Sequence, residues 1–164
     1  AREAVLGEDF LSQMQSHFRD LQAFEANQSH GAWIEAVRPE FGPGVAERFA
    51  YAASVTAEQK RAADEFRVPA RDIIDDLLGP EGFFALPTTP FFAPPLDESE
   101  QELAMKRNQM VRLFQIASFF GLPQVSLPLK TPEAPLGLSL IGRRWSDRGL
   151  LALAERLAPR LRTP

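Results

Sequence analysis

The chain has 164 residues, 45% of them hydrophobic and 24% charged, with a net charge of −4 and a pI near 5.3. That balance excludes an intrinsically disordered segment, and with arginines interspersed among acids it leaves no basic footprint for direct nucleic-acid binding. The absence of cysteine removes disulfides, thiolate nucleophiles and cysteine zinc sites, and no apolar run approaches the roughly 20 residues that span a bilayer. A cytoplasmic protein is the expectation, read as a single segment, 1–164. The chain starts at Ala1, directly in helix-like sequence, so it reads as an internal piece of something longer.

Leu11, Met14, Phe18 and Leu21 follow 3-4-3 spacing, which predicts a helix over about 8–29 with one buried stripe. The next position of that stripe is Glu25. A loop with Gly31, Pro39, Gly42 and Pro43 follows, and Pro43 suits the first turn of a second helix over about 44–55. Thr56 and Gln59 form a capping box that restarts a third helix, kinked or interrupted at Pro69 and ended by Gly79-Pro80. Phe83 to Leu86 is a short apolar run that predicts a buried strand. A fourth helix over about 98–120 stops at Gly121. Residues 124–129 and 136–141 read as strands either side of a KTPEAP loop, and Ser146 is the expected cap of a last leucine-rich helix. Helices and strands in this order predict an α/β layered fold.

Chemistry is sparsely supplied. His17 and His30 have no third ligand at a metal-binding spacing, so no metal is expected. Lys60, Lys106 and Lys130 read as solvated charges on polar faces or in a loop. No Gly-Gly or Ser-Ser dipeptide occurs to form a phosphate-cradling or oxyanion loop, and no cofactor is implied. Thr88 and Thr89, flanked by prolines directly after a strand, stand where a parallel sheet opens its ligand crevice. The bland alternative has both hydroxyls satisfying backbone groups in a rigid turn.

Two residues break the helical patterns. Glu25 continues an apolar stripe, and Arg48 occupies the apolar side of the second helix beside Val45, Ala52 and Val55. Two unpaired buried charges would each cost several kcal/mol, so the pattern predicts that they approach each other or share a pocket. The alternative is that either side chain reaches solvent along its stem.

FFALPTTPFFAPPL, then SFFGLPQVSLPL, then APLGLSLIGRRWSDRGLLALAERLA resemble, in that order, the C-terminal portion of the amidase signature family. FRDLQAFEANQSHGAWI and FGPGVAERFAYAASVTAEQKRAAD are similar to the helices that precede that portion in bacterial amidases, so the resemblance runs from about Phe18 to Ala158. It implies the C-terminal part of an α/β/α sandwich, with a mixed sheet covered by helices. It also implies hydrolysis of a C–N amide bond by a serine nucleophile, a second serine in a cis peptide and a lysine base. Those groups lie in the N-terminal half of family members and have no match here, so the resemblance gives this chain no catalytic residue. Its expected partners are the N-terminal catalytic half and a small amide, with a homodimer among the possible assemblies.

Arg48 lines up with the arginine that glutamine-dependent amidotransferases use, in their amidase-like polypeptide, to hold substrate. Glu25 and Thr88 join it as candidate substrate-binding residues. The acidic residue that those proteins place before their G-L-P strand falls near Val111, which favours a simple amidase over the amidase-like component of an amidotransferase. A non-catalytic scaffold domain is the third reading.

Overall fold

The computed structural model describes residues 6–42, 44–131 and 134–161, and the chain divides into two compact units, Ala1–Arg71 and Asp72–Pro164. Pro43 and part of the KTPEAP loop lie outside the described residues. In chain order the elements are α1 (Glu8–Val37), α2 (Val45–Ser54), α3 (Ala57–Leu78), β1 (Phe83–Pro87), α4 (Glu100–Phe120), β2 (Gln124–Leu129), β3 (Leu136–Gly142) and α5 (Asp147–Leu161).

The first unit is helical. Met14, Phe18 and Leu21 are the buried stripe of α1, as their spacing predicts. The helix runs through Gly31 and ends only at Arg38, which adopts a left-handed conformation and donates its N–H to the Ile34 carbonyl. A glycine inside a helix costs about 1 kcal/mol relative to alanine and does not stop it. The stop comes from Pro39, which disfavours helical geometry at the residue before it. α2 packs along α1, where Phe41 stacks on Phe49 at 4.9 Å between ring centroids. The expected capping box forms at the start of α3: the Thr56 N–H donates to Gln59 Oε1 at 3.0 Å, and the Gln59 N–H donates to Thr56 Oγ1 at 3.2 Å. The helix α3 continues through Pro69, which is exposed and sits on its solvent side.

The second unit is built on a three-stranded sheet of order β1-β3-β2, antiparallel throughout. Register pairs Leu86 and Ser126 with Ser139, and Ala85 and Val125 with Leu140. Because side chains alternate along a strand, this places the two faces in different environments. One face, with Leu127, Leu138 and Leu140, packs against Leu150, Ala154 and Leu157 of α5. Burying a leucine there contributes about 1.5–3 kcal/mol, so this cluster is the main attachment of α5. The opposite face carries Gln124, Ser126, Ser139 and Gly137.

Helix ends are closed individually. Ser99 caps α4 in a capping box with Glu102, and Gly121 closes it in a left-handed conformation. Ser146 does not cap α5 through its side chain: its hydroxyl donates back to the Arg143 carbonyl at 2.6 Å, tightening the turn out of β3. Two consecutive arginines reach helix C-termini from that turn. Arg143 Nη1 donates to the Gly79 carbonyl at 3.1 Å, and Arg144 Nη2 donates to the Phe120 carbonyl at 3.3 Å. Both positions are carbonyl-rich ends where a cation is favoured.

Candidate functional site

The first unit holds a groove between α1 and α2 of about 840 Å³. Arg19, Gln22, Ala23, Ala26 and His30 line it from α1, at the 3-1-3-4 spacing that puts them on one helical face. Val45, Arg48, Phe49 and Ala52 line it from α2. The floor is therefore small and apolar, and the rim carries Arg19, Arg48 and His30 against one carboxylate, Glu47.

Tyr51 ties this groove together. Its O–H donates to Asp20, its ring lies 4.1 Å beneath the Arg19 guanidinium, and Gln59 Nε2 donates to the other Asp20 oxygen at 3.4 Å. Burial, followed by the Asp20 hydrogen bond, pushes the Tyr51 phenol above its ordinary value, so it stays a donor. Arg19 is thus partly engaged. Arg48 is exposed and makes no ion pair among the described residues.

The expected approach of Glu25 to Arg48 does not occur. Beyond Leu21 the covered side of α1 shifts to Ala23, Phe24 and Ala26, which leaves Glu25 exposed in water and outside the groove. Extending the stripe by one more turn overestimated its reach, because α2 meets α1 along a different line of residues. Arg48 likewise reaches solvent, so neither charge carries a burial cost.

Thr88 stands in a different setting. The strand before it pairs antiparallel with β3, so the expected crevice of a parallel sheet is not what surrounds it. Its N–H donates to the Gly137 carbonyl at 2.8 Å. Its hydroxyl lies 2.7 Å from Ser126 Oγ and 2.9 Å from Ser139 Oγ, and Gln124 Nε2 donates to Ser139 Oγ at 2.8 Å. A row of four polar side chains therefore links β2 and β3 to the residue that follows β1, with Ser139 fully buried and Ser126 exposed. Thr89 behaves as the bland reading expects: its hydroxyl donates to the Phe91 carbonyl at 2.9 Å.

Sequence reasoning missed Ser126, Ser139 and Gln124. The available signal was alternation: Gln124 and Ser126 are separated by one apolar residue, and Ser139 sits between two leucines. Gly137 completes the arrangement, because a Cβ there would meet Thr88 Oγ1 at 2.5 Å and Ser126 Oγ at 2.8 Å. Among the described residues no group of three potential metal ligands is assembled, and no helix is long and apolar enough to cross a membrane.

No family model matches the chain. It is 36% identical over 149 residues to Amidase 1 of Arabidopsis thaliana, covering 90% of this chain and 35% of that protein. It is 32% identical over 149 residues to Amidase 1 of Oryza sativa subsp. japonica, covering 90% of this chain and 34% of that protein. A mitochondrial glutamyl-tRNA(Gln) amidotransferase polypeptide of Fusarium vanettenii is 39% identical over 89 residues, covering 51% of this chain and 17% of that protein. The chain thus spans about a third or less of the length of these relatives. A solved bacterial aryl acylamidase of the amidase signature family superposes with a TM-score of 0.65 at 16% identity, covering 91% of this chain and 34% of that one, a likeness of fold. In sequence and in fold, the chain matches a C-terminal portion of the amidase signature family.

Proposed function

We propose that this chain is the C-terminal structural and substrate-side part of an amidase that hydrolyses a C–N amide bond. The observation that carries the reading is the identity to Amidase 1 across nine-tenths of the chain. In this reading the serine nucleophile, the second serine and the lysine base are supplied by an N-terminal part of the protein, and this chain contributes strands, covering helices and a wall of the substrate pocket. Arg48 is the wall's exposed cation, held by α2 at the rim of a groove with an apolar floor. Thr88 contributes through the hydroxyl row rather than through its turn.

The amidase-like component of a glutamine-dependent amidotransferase is the second reading, supported by the 39% identity over 89 residues and by the match at Arg48. Val111, half-buried and uncharged, stands where those proteins carry their acidic residue, and it offers a substrate ammonium no partner. The experiment is a hydrolysis screen on the complete protein, using aliphatic and aromatic primary amides alongside glutamine. Release of ammonia from simple amides without other polypeptides is the expected result. Activity confined to glutamine, or to a complex with other polypeptides, would move the second reading to first place. No hydrolysis of any amide by the complete, folded protein would leave the scaffold reading.

A further inference from the structure

Two hydrogen bonds fix which way the backbone groups of the sheet point. The Thr88 N–H donates to the Gly137 carbonyl at 2.8 Å, so Gly137, Ser139 and Ile141 turn their backbone groups toward β1. The Gly142 N–H donates to the Pro123 carbonyl at 3.0 Å, so Leu138, Leu140 and Gly142 turn theirs toward β2. Along β2, Val125, Leu127 and Leu129 therefore bond to β3, and Gln124, Ser126 and Pro128 direct their backbone groups to the other side. Pro128 fits this alternation, because its missing N–H falls where no bond to β3 is lost. Pro87 obeys the same rule on β1.

β2 ends the sheet among the described residues. Its outer side presents the N–H groups of Gln124 and Ser126 and the carbonyls of Gln124, Ser126 and Pro128, at steps of about 6.8 Å. Proteins blunt free edges with charged side chains, bulges or prolines. QVSLPL carries no charge, its register with β3 runs one to one from Gln124 to Leu129, and its proline stands one residue before its end. A roof already lies over this edge. α5 packs chiefly on β2 and less on β3, and a helix at least 10 Å across is wider than two strands spaced about 4.8 Å apart. Centred on the end strand, it extends past it. Leu153 lines a cleft with Phe83 and Gly142, which puts that flank of α5 on the β1 side. Leu151, nearly opposite Leu153 at about 100° per residue, lies on the outer flank and is 55% exposed. The other edge of the sheet, at β1, is two strands away from this roof.

We infer that the outer edge of β2 is the seam at which the rest of the protein joins this sheet, with a strand of the N-terminal part pairing to Gln124 and Ser126 beneath the Leu151 flank of α5. The inference rests on the reading that this chain, which covers 35% of Amidase 1 of Arabidopsis thaliana, is one part of a longer amidase. The groups on offer recognise an extended backbone rather than any one side chain. Opposite Pro128 the added strand meets a carbonyl but no donor, so its pairing weakens toward that end.

Amide hydrogen exchange of the complete folded protein, followed by NMR residue by residue, tests the seam. An open edge gives an alternating pattern, slow at Val125 and Leu127 and fast at Gln124 and Ser126. The expected result is an unbroken slow run, with Gln124 and Ser126 exchanging within about tenfold of Val125 and Leu127. Their amide protons should also show cross-strand Overhauser contacts to backbone protons of N-terminal residues. Faster exchange at either residue, or slow exchange without those contacts, would overturn the inference. Protection lost on dilution would overturn it as well and give the edge to a second copy of the chain. Pairing observed in a complete protein that hydrolyses no amide would remove the amidase reading and leave the seam standing.

Discussion

Gly137→Ala is the perturbation whose cost can be worked most directly from the structure. The new Cβ would lie 2.5 Å from Thr88 Oγ1, 2.8 Å from Ser126 Oγ and 2.8 Å from Thr88 Cβ, all shorter than real Cβ contacts. Thr88 cannot swing away freely, because its N–H is bonded to the Gly137 carbonyl and its χ1 is restricted by branching at Cβ. Overpacking of this kind costs about 1–3 kcal/mol. Separating the hydroxyls forfeits two neutral hydrogen bonds at about 1 kcal/mol each. Replacing glycine returns about 0.4–1 kcal/mol through the unfolded chain. The net expectation is a loss of about 2–4.5 kcal/mol, measured as a lowered urea midpoint by far-UV circular dichroism. Thr88→Ala should cost less in the Gly137→Ala background than in the parent, because it removes the clashing oxygen. A Gly137→Ala midpoint equal to that of the parent would refute the close-approach argument.

Arg48→Met should leave stability within about 0.5 kcal/mol, as expected for an exposed side chain with no ion pair among the described residues; if the proposed function holds, it should also lower kcat/KM of the complete protein for an amide about tenfold. Loss of stability without loss of activity would contradict its placement at the groove rim. Leu140→Ala, at the centre of the leucine cluster under α5, should cost about 2–5 kcal/mol by chemical denaturation. Asp64 accepts from Lys60 and from Arg67 Nη2, the latter at 2.8 Å, and the Lys60 hydrogen bond chiefly holds its carboxyl below the usual range. A depressed pKa contributes stability above the unfolded value near 3.9 and loses it as pH falls through the lower folded value. Stability measured against pH should therefore fall less steeply in Asp64→Asn than in the parent over the acid limb, and identical limbs would argue against this coupling.

Much of the fold was legible because its punctuation is local. The Thr56–Gln59 box and Gly121 each act within one turn, and their effects survive into the structure. Gly31 misled for the same reason: a local weakness was read as a boundary, whereas Pro39 sets the true end of α1. The site was less legible, because it depends on register. Nothing near Thr88 in sequence indicates that Ser126, 38 residues later, and Ser139, 51 residues later, lie within hydrogen-bond distance. Glu25 failed for a geometrical reason, since periodicity gives the face of a helix but not how far along it a neighbour extends.

The paired guanidinium groups of Arg143 and Arg144 bear on how the chain finds its alignment. Because β3 exits directly into this dipeptide, the two arginines meet the ends of α3 and α4 only when β3 is seated in one pairing. Sliding by a single residue would turn every β3 side chain to the wrong face and withdraw both guanidinium groups from their carbonyls together. The dipeptide thus acts as a vernier on the sheet, rejecting near-miss alignments through contacts made outside the sheet.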